Sequence, residues 1–201
     1  QAAAQLAKLK GATVIGIAGA QEKCEYVLNA LGLDGCVSHH SPTLADDLAR
    51  ACPNGIDVYF ESVGGKVFEA VLPLLNQNAR ISRCGLISQY FGADTRDDKE
   101  SVWLRTGKQI FEARNAEVHN LVVREYVDEY QEPCFREMGD WVREGKLNYK
   151  EVVWSGLATA PEAFLAMLSG GNFGKTLVTV NDDPTGNADI AVKRTAGNTL
   201  G

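Results

Sequence analysis

The residues that could do chemistry in this 201-residue sequence gather in four short loops, each directly after an apolar run. The loops are Gly19-Ala20-Gln21, Ser38-His39-His40, Glu61 to Gly65, and Gly85 to Phe91. In parallel α/β sheets ligands bind outside the carboxyl ends of the strands, and glycine there lets a ligand approach the backbone closely. Lys23 is the sharpest single clue. An NAD site places an acid at the end of its second strand to hold the ribose hydroxyls. The stretch Ile17-Ala18-Gly19-Ala20-Gln21 offers none, and Lys23 just afterwards could instead neutralise a ribose 2′-phosphate. His39 or His40 could stand beside it. In an extended backbone neighbouring side chains point to opposite faces, so only one of the two histidines is expected to face a ligand. Plainer readings stand alongside: a solvated lysine at a helix start, and histidines that are surface or capping residues.

Tyr90 follows a strand-end loop, where a phenol can donate a hydrogen bond to a carbonyl, relay a proton, or rest on a cofactor as part of a lid. Cys84 reads as a buried strand residue rather than a nucleophile, because no histidine is patterned with it. Asp57 and Glu61 fall four apart, on one face of a strand. A cap and a surface charge explain them at least as well as acid–base work does. Trp103, Trp141 and Trp154 lack interleaved basic residues and read as packing residues.

The elements that must position these loops alternate regularly. Ala2 to Lys10 reads as a helix with Gly11 at its C-cap, and Ala3, Leu6, Ala7 and Leu9 facing inward. Thr13 to Ala18 is a short β-branched run, expected as a strand buried on both faces. A helix over 21–31 turns Val27, Leu28 and Leu31 inward, before a short strand at Cys36-Val37. Ser41-Pro42 looks like an N-cap with a first-turn proline, opening a helix to Ala51. Strands are expected at 56–60 and 79–84, around a helix from Lys66 that Pro73 ends or kinks. Residues 92–108 break the rhythm and read as a surface loop or lid, with a helix over 101–114. Val118 to Val123 is a sixth strand. A helix over 132–144 starts at Pro133, with Phe135, Met138, Trp141 and Val142 inward. A strand near 151–154, a helix over 161–168 and a strand over 176–180 follow. This alternation predicts an α/β fold with a parallel sheet.

The chain is 45% apolar and 23% charged, with formal charge −6. It has no long basic tract, which argues against nucleic-acid or anionic-membrane partners, and no apolar run long enough to span a bilayer. The five cysteines are odd in number and widely spaced, the pattern of reduced thiols rather than a disulfide framework or a zinc site. With no signal-like segment after Gln1, a cytoplasmic location is expected.

Several stretches together resemble one family. They are Ala18-Gly19-Ala-Gln-Glu-Lys-Cys24, Ala51-Cys-Pro-Asn-Gly-Ile-Asp-Val-Tyr-Phe60, Val63-Gly-Gly65, Cys84-Gly-Leu-Ile-Ser-Gln-Tyr90, Glu144-Gly-Lys-Leu-Asn-Tyr149, Ala160-Pro-Glu-Ala-Phe164 and Gly171-Asn-Phe-Gly-Lys175. Over residues 1–180 the chain is similar to the NADP-dependent alkenal/one oxidoreductases. These form the prostaglandin/leukotriene B4 reductase and curcumin reductase branch of the medium-chain dehydrogenase/reductase superfamily. The resemblance implies NADPH as cofactor, an α,β-unsaturated carbonyl compound as substrate, no metal, and a homodimer. It implies that Lys23 contacts the 2′-phosphate, and that His39 and Ser62 stand where the family has a tyrosine and an asparagine. Cys84, Gly85, Leu86, Ile87, Ser88 and Tyr90 would line the nicotinamide side, with Tyr90 the candidate catalytic residue. Leu121, Val122 and Val123 would run beside the carboxamide, and Asn172 would be a late cofactor contact. Phe91 replaces the asparagine that usually follows the tyrosine.

The implied fold is a Rossmann-like doubly wound parallel sheet, incomplete at its N-terminal side. Residues 1–125 would be a partial NADP-binding domain and 126–149 a helix and link. Residues 150–181 would be a segment that packs on a GroES-like catalytic domain, and 182–201 a loose polar tail or non-native sequence. The family's catalytic domain, first strand and Gly-rich pyrophosphate loop have no counterpart in the 201 residues, which alone are expected to be inactive. In the order 3-2-1-4-5-6 the first strand would lie between the strands at 13–18 and 56–60. The runners-up are a quinone reductase of the same superfamily and a non-catalytic NADPH-binding module or fragment.

Overall fold

Helix and strand alternate from the first turn onward. A computed structural model of the chain describes residues 1–89, 96–180 and 195–196. Helix α1 (Ala2–Leu9) forms from strong helix formers and ends at Gly11, whose φ of +86° only glycine adopts freely. Its inward face is not the apolar one expected: Ala3 and Leu9 are exposed, and the buried residue is Gln5. The Gln5 amide donates to the Asn148 carbonyl at 2.7 Å and accepts from the Asn148 N–H at 2.8 Å. Here α1 lies against an irregular extended segment whose backbone needs polar partners, which an apolar face could not supply.

Strand β1 (Ile15–Ala18) pairs in parallel with β2 (Gly35–Ser38). All four residues of β1 are only half-buried, not covered on both faces as expected. Between the strands runs α2 (Gln21–Asn29), which buries Cys24, while Leu28 stays exposed. Helix α3 (Leu44–Ala51) starts later than Ser41-Pro42 suggests, because Pro42 and Thr43 form a turn first. The Ser41 hydroxyl accepts the Thr43 N–H at 3.1 Å and donates to Asp47, so Ser41 organises the turn rather than capping the helix. Leu44 and Leu48 point inward.

Strand β3 (Ile56–Glu61) leads to α4 (Gly65–Val71), which Pro73 converts into a 3-10 turn at Leu72–Leu74. Strand β4 (Leu75–Arg83) follows, and α5 covers Arg96–Arg114. It contains the helix expected over 101–114 and starts five residues earlier, so 96–108 are helix rather than loop, and residues 92–95 lie outside the described residues. Its anchor is Trp103, 1% exposed and stacked on Phe68 with ring centroids 4.5 Å apart. Each such buried ring contributes roughly 1.5–3 kcal/mol. Strand β5 (Glu117–Asn120) stops short of Leu121–Val123, and the second sheet runs β3-β4-β5, all parallel.

Helix α6 (Val127–Arg143) contains Pro133 instead of starting there. Pro133 and Glu129 are both exposed, so water can satisfy the carbonyl that the missing N–H leaves free. Met138 and Trp141 are half-buried, whereas Phe135 and Val142 face outward, against expectation. Strand β6 (Glu151–Ser155), α7 (Ala160–Leu168) and β7 (Lys175–Thr179) make a further parallel unit, with Leu157, Phe164 and Leu165 exposed. A two-residue strand, β8 (Thr195–Ala196), also pairs with β6. The rest of the expected tail at 182–201 lies outside the described residues.

The parallel α/β organisation expected from the alternation is thus present. Val37, Leu48, Tyr59, Phe68, Ile81 and Trp103 belong to one apolar cluster beneath the first two sheets. Among the described residues β1 and β3 each carry a strand partner on one side only. No helix among them is long and apolar enough to cross a membrane.

Candidate functional site

The carboxyl ends of β1 and β2 converge on Gly19. The His39 N–H donates to the Ala18 carbonyl at 2.8 Å, the Ser38 hydroxyl donates to the Gly19 carbonyl at 2.7 Å, and the His40 N–H donates to that hydroxyl at 3.2 Å. These bonds close a turn at 39–40, so the chain is not extended there. The two imidazoles consequently do not splay: their centroids lie 4.1 Å apart. A Cβ placed on Gly19 would stand 3.1 Å from His39 Nε2 and 3.2 Å from His40 Nε2, so both ring edges close over the bare glycine. The expectation that only one histidine faces this point is corrected by that turn.

Lys23, in the first turn of α2, donates from Nζ to the Gly170 carbonyl at 2.8 Å. Asn172, nearby in the same loop, donates to the Gly174 carbonyl at 2.9 Å, and Phe173 meets Tyr26 edge-on. Burial pushes the His39 pKa below its usual 6.5, helped by His40, by Lys66 and by Lys23. Four basic side chains thus surround one corner of the fold. Lys66 escaped the sequence reading. Its signal was a lysine directly after Gly64-Gly65, in a helical first turn where acids are the favoured charge.

A second cluster lies at the carboxyl ends of β3, β4 and β5. The Cys84 N–H donates to the Glu61 carbonyl at 2.7 Å, the Ile87 N–H to the Ser62 carbonyl at 3.1 Å, and the Ser88 N–H to the Val63 carbonyl at 3.0 Å. The Leu121 N–H donates to the Arg83 carbonyl at 2.9 Å. Ser62, the run Cys84–Ser88 and Leu121 therefore share one shelf, with Val122 and Val123 continuing from it and exposed. Cys84 is exposed, not a buried strand residue, because β4 ends one residue earlier. Gly65 joins this shelf to the basic corner: a Cβ there would stand 3.2 Å from Ser88 Oγ, and Lys66 is the next residue. Tyr90 lies outside the described residues.

Glu61 is fully buried, neither surface charge nor acid–base partner of the exposed Asp57. Its Oε1 accepts the Val63 N–H at 2.7 Å and the Gly64 N–H at 2.9 Å, and its Oε2 accepts the Trp103 Nε1–H at 3.2 Å. It caps the 62–65 loop, the plainer of its two sequence readings. Gly64 and Gly65, with φ of +75° and +56°, let the loop turn back on that carboxylate.

The sequence family described as zinc-binding dehydrogenase matches residues 1–122. The chain belongs to that family. It is 43% identical over 182 residues to the NADPH-dependent curcumin reductase of Escherichia coli strain K12, across 89% of this chain and 51% of that protein. It is 34% identical over 175 residues to prostaglandin reductase 1 of Rattus norvegicus, across 87% of this chain and 51% of that one. The crystal structure of CurA in complex with NADPH from Vibrio vulnificus matches with a TM-score of 0.77 at 40% identity, over 90% of this chain and 53% of that chain. The chain spans about half the length of the curated relatives it matches. For this family member the relationship read from the motifs therefore stands, including the curcumin reductase and prostaglandin reductase branch. Among the described residues no three His, Cys, Asp or Glu side chains group as ligands of a metal ion.

The basic corner fits a phosphorylated ribose. The donor chemistry is that of two imidazoles with Lys23 and Lys66 acting on His39, while the ring edges themselves fill the space over Gly19, where a Cβ would stand 3.1 Å from His39 Nε2.

Proposed function

We propose that this chain forms the NADPH-binding half of a zinc-independent reductase acting on the carbon–carbon double bond of enones and enals. The observation that carries the proposal is the basic corner at the carboxyl ends of β1 and β2, where His39 and His40 close over Gly19 and Lys23 acts on His39. It occurs in a chain 43% identical to an NADPH-dependent curcumin reductase.

NADPH, when bound, supplies the hydride that adds to the β-carbon, and a proton then completes the α-carbon. Lys23 would hold the 2′-phosphate by a charge-assisted contact, exchanging it for the Gly170 carbonyl. His39 would lie beside it, and Asn172 would steady the loop over the adenosine end. Ser62, Cys84, Gly85, Leu86, Ile87 and Ser88 would form one wall of the nicotinamide pocket, and Leu121, Val122 and Val123 the backbone beside the carboxamide. Holding the alkene against the cofactor turns an encounter into an oriented reaction, and donors aimed at the carbonyl oxygen stabilise the developing enolate. The donor to that oxygen would be the Tyr90 phenol or a ribose hydroxyl; replacing Tyr90 by Phe separates the two. The cytoplasm and a homodimer are the setting we assign to the intact protein.

The test is turnover of a simple enone by the intact natural protein, followed as loss of NADPH absorbance before and after dialysis against a chelator. Turnover unchanged by the chelator supports the proposal. Faster turnover of quinones than of enones would favour the quinone reductase reading, and NADPH binding without turnover would favour a non-catalytic module.

A further inference from the structure

The turn after β2 carries two protonatable rings where one neutral side chain would suffice to line a pocket. We propose that His39 and His40 form a proton-loaded clamp on the cofactor's 2′-phosphate, so that NADPH binding takes up a proton and the preference for NADPH over NADH falls as pH rises. This inference rests on the NADPH reading above.

Geometry carries it first. The rings lie 4.1 Å apart at 47°, and both Nε2 atoms approach the space left by the missing side chain of Gly19. Among the described residues the turn is held through backbone N–H groups and not by contacts that spend the ring nitrogens: His39 N–H to Ala18, and His40 N–H to Ser38, whose hydroxyl is itself fixed by Gly19. The rings are left to meet a ligand.

Charge carries it next. The groups acting on His39 are His40 from its own turn, Lys23 from α2 and Lys66 from α4, all basic. The acids of the neighbouring elements are hydrogen-bonded or exposed, Asp46 on α3 and Glu69 on α4 among the exposed ones. Glu25 accepts from Gln21, Asp47 is bonded to Ser41, Thr43 and Arg50, and Glu22 is exposed on α2. In the free protein, burial and these cations disfavour the imidazolium, so His39 is neutral near neutral pH. A phosphate dianion reverses the balance: an opposite charge at the ring edges favours the protonated form. The sign follows by linkage. The complex binds more protons than the free protein, so affinity for NADPH rises as pH falls. The gain levels off once His39 of the free protein is itself protonated, and the phosphate's own protonation at about pH 6 sets the lower limit. NADH lacks the group that triggers the uptake.

The experiment uses the intact natural protein, titrated with NADPH and with NADH by nucleotide fluorescence at about pH 6.5, about pH 7.2 and about pH 8. Calorimetry in two buffers of different ionisation enthalpy counts the protons. The expected result is an NADPH Kd that rises severalfold over this range, with a limit of about tenfold per pH unit for each proton taken up. The NADH Kd should stay level, and net proton uptake should accompany NADPH alone. The His39→Gln, His40→Gln double variant, with Lys23 intact, should lose both slope and uptake. A level NADPH profile without proton uptake, or a slope surviving in the double variant, overturns the clamp. If that variant does not fold, the pH and buffer series on the unaltered protein decides. NADPH preferred equally at every pH retires the histidine clamp and leaves the NADPH reading standing. NADPH and NADH bound alike at every pH removes both.

Discussion

The indole N–H of Trp103 donates to the Glu61 carboxylate at 3.2 Å, across 42 positions of sequence. The same carboxylate holds the N–H groups of Val63 and Gly64. One buried side chain thereby ties helix α5 to the loop that supports the 84–88 shelf. Replacing Glu61 by Gln keeps the volume but puts an NH2 group against existing donors. An unsatisfied buried donor costs about 1–3 kcal/mol, so Glu61→Gln should lower stability by at least that much. Urea unfolding checks it, and a midpoint that does not move would show that the three hydrogen bonds contribute nothing net.

Lys23→Ala should weaken NADPH binding far more than NADH binding. The lost charge-assisted phosphate contact corresponds to roughly 1.5–3 kcal/mol, or about 10- to 150-fold in Kd. Equal losses for the two cofactors, measured by fluorescence titration, would remove Lys23 from the phosphate site.

The thiols should react in an order set by their surroundings. Cys84 is exposed, whereas burial and the neighbouring Cys24 thiol push the Cys36 pKa up to about 12. Under native conditions iodoacetamide should label Cys84 first and spare Cys24 and Cys36 until the chain unfolds. Peptide mass spectrometry after timed quenching reads the order directly. Early labelling of Cys36 would contradict the packing of α2 on β2.

Phe68→Ala should cost about 3–5 kcal/mol, because Phe68 is 2% exposed and its ring packs in a triangle with those of Trp103 and Phe111. The neighbouring rings cannot close the gap without disturbing α5. A shift in thermal midpoint with no change in the unfolding slope would identify the loss as one of packing.

Protonation of His39 opposes folding as well as responding to ligand. Its pKa in the folded state is held below 6.5, so the unfolded chain binds the proton more readily. Stability should rise with pH through the window between the depressed value and 6.5, then level off above it. Denaturant midpoints measured across that window, with and without His39→Gln, isolate this contribution.

Much of this architecture was legible from spacing. The alternation of short apolar runs with helical periodicity placed the strands, and Pro73 marked the end of α4, because these signals are local. Registers that depend on partners were not legible. Gln5 is buried because residue 148 brings an unpaired backbone to it, which no pattern within residues 2–10 could reveal. The 92–108 stretch looked like a surface loop because its charges hide one tryptophan that needs Phe68 and Glu61 to complete its surroundings. In the site, Lys23 could be selected because an expected acid was missing. The convergence of His39 with His40 depended on a turn closed by Ser38 and Ala18, and the two rings read as opposed for as long as that turn was unknown.

Strands β1 and β3 both lie above the shared apolar cluster, yet among the described residues no ladder joins them. Oily contacts tolerate sliding; rows of peptide bonds do not. A polypeptide docking simultaneously along Ile17 and Val58 would therefore act as a mechanical lock, adding that row to both edges at once so that the two sheets melt in one step. Amide exchange slowing together at those two positions would be its signature.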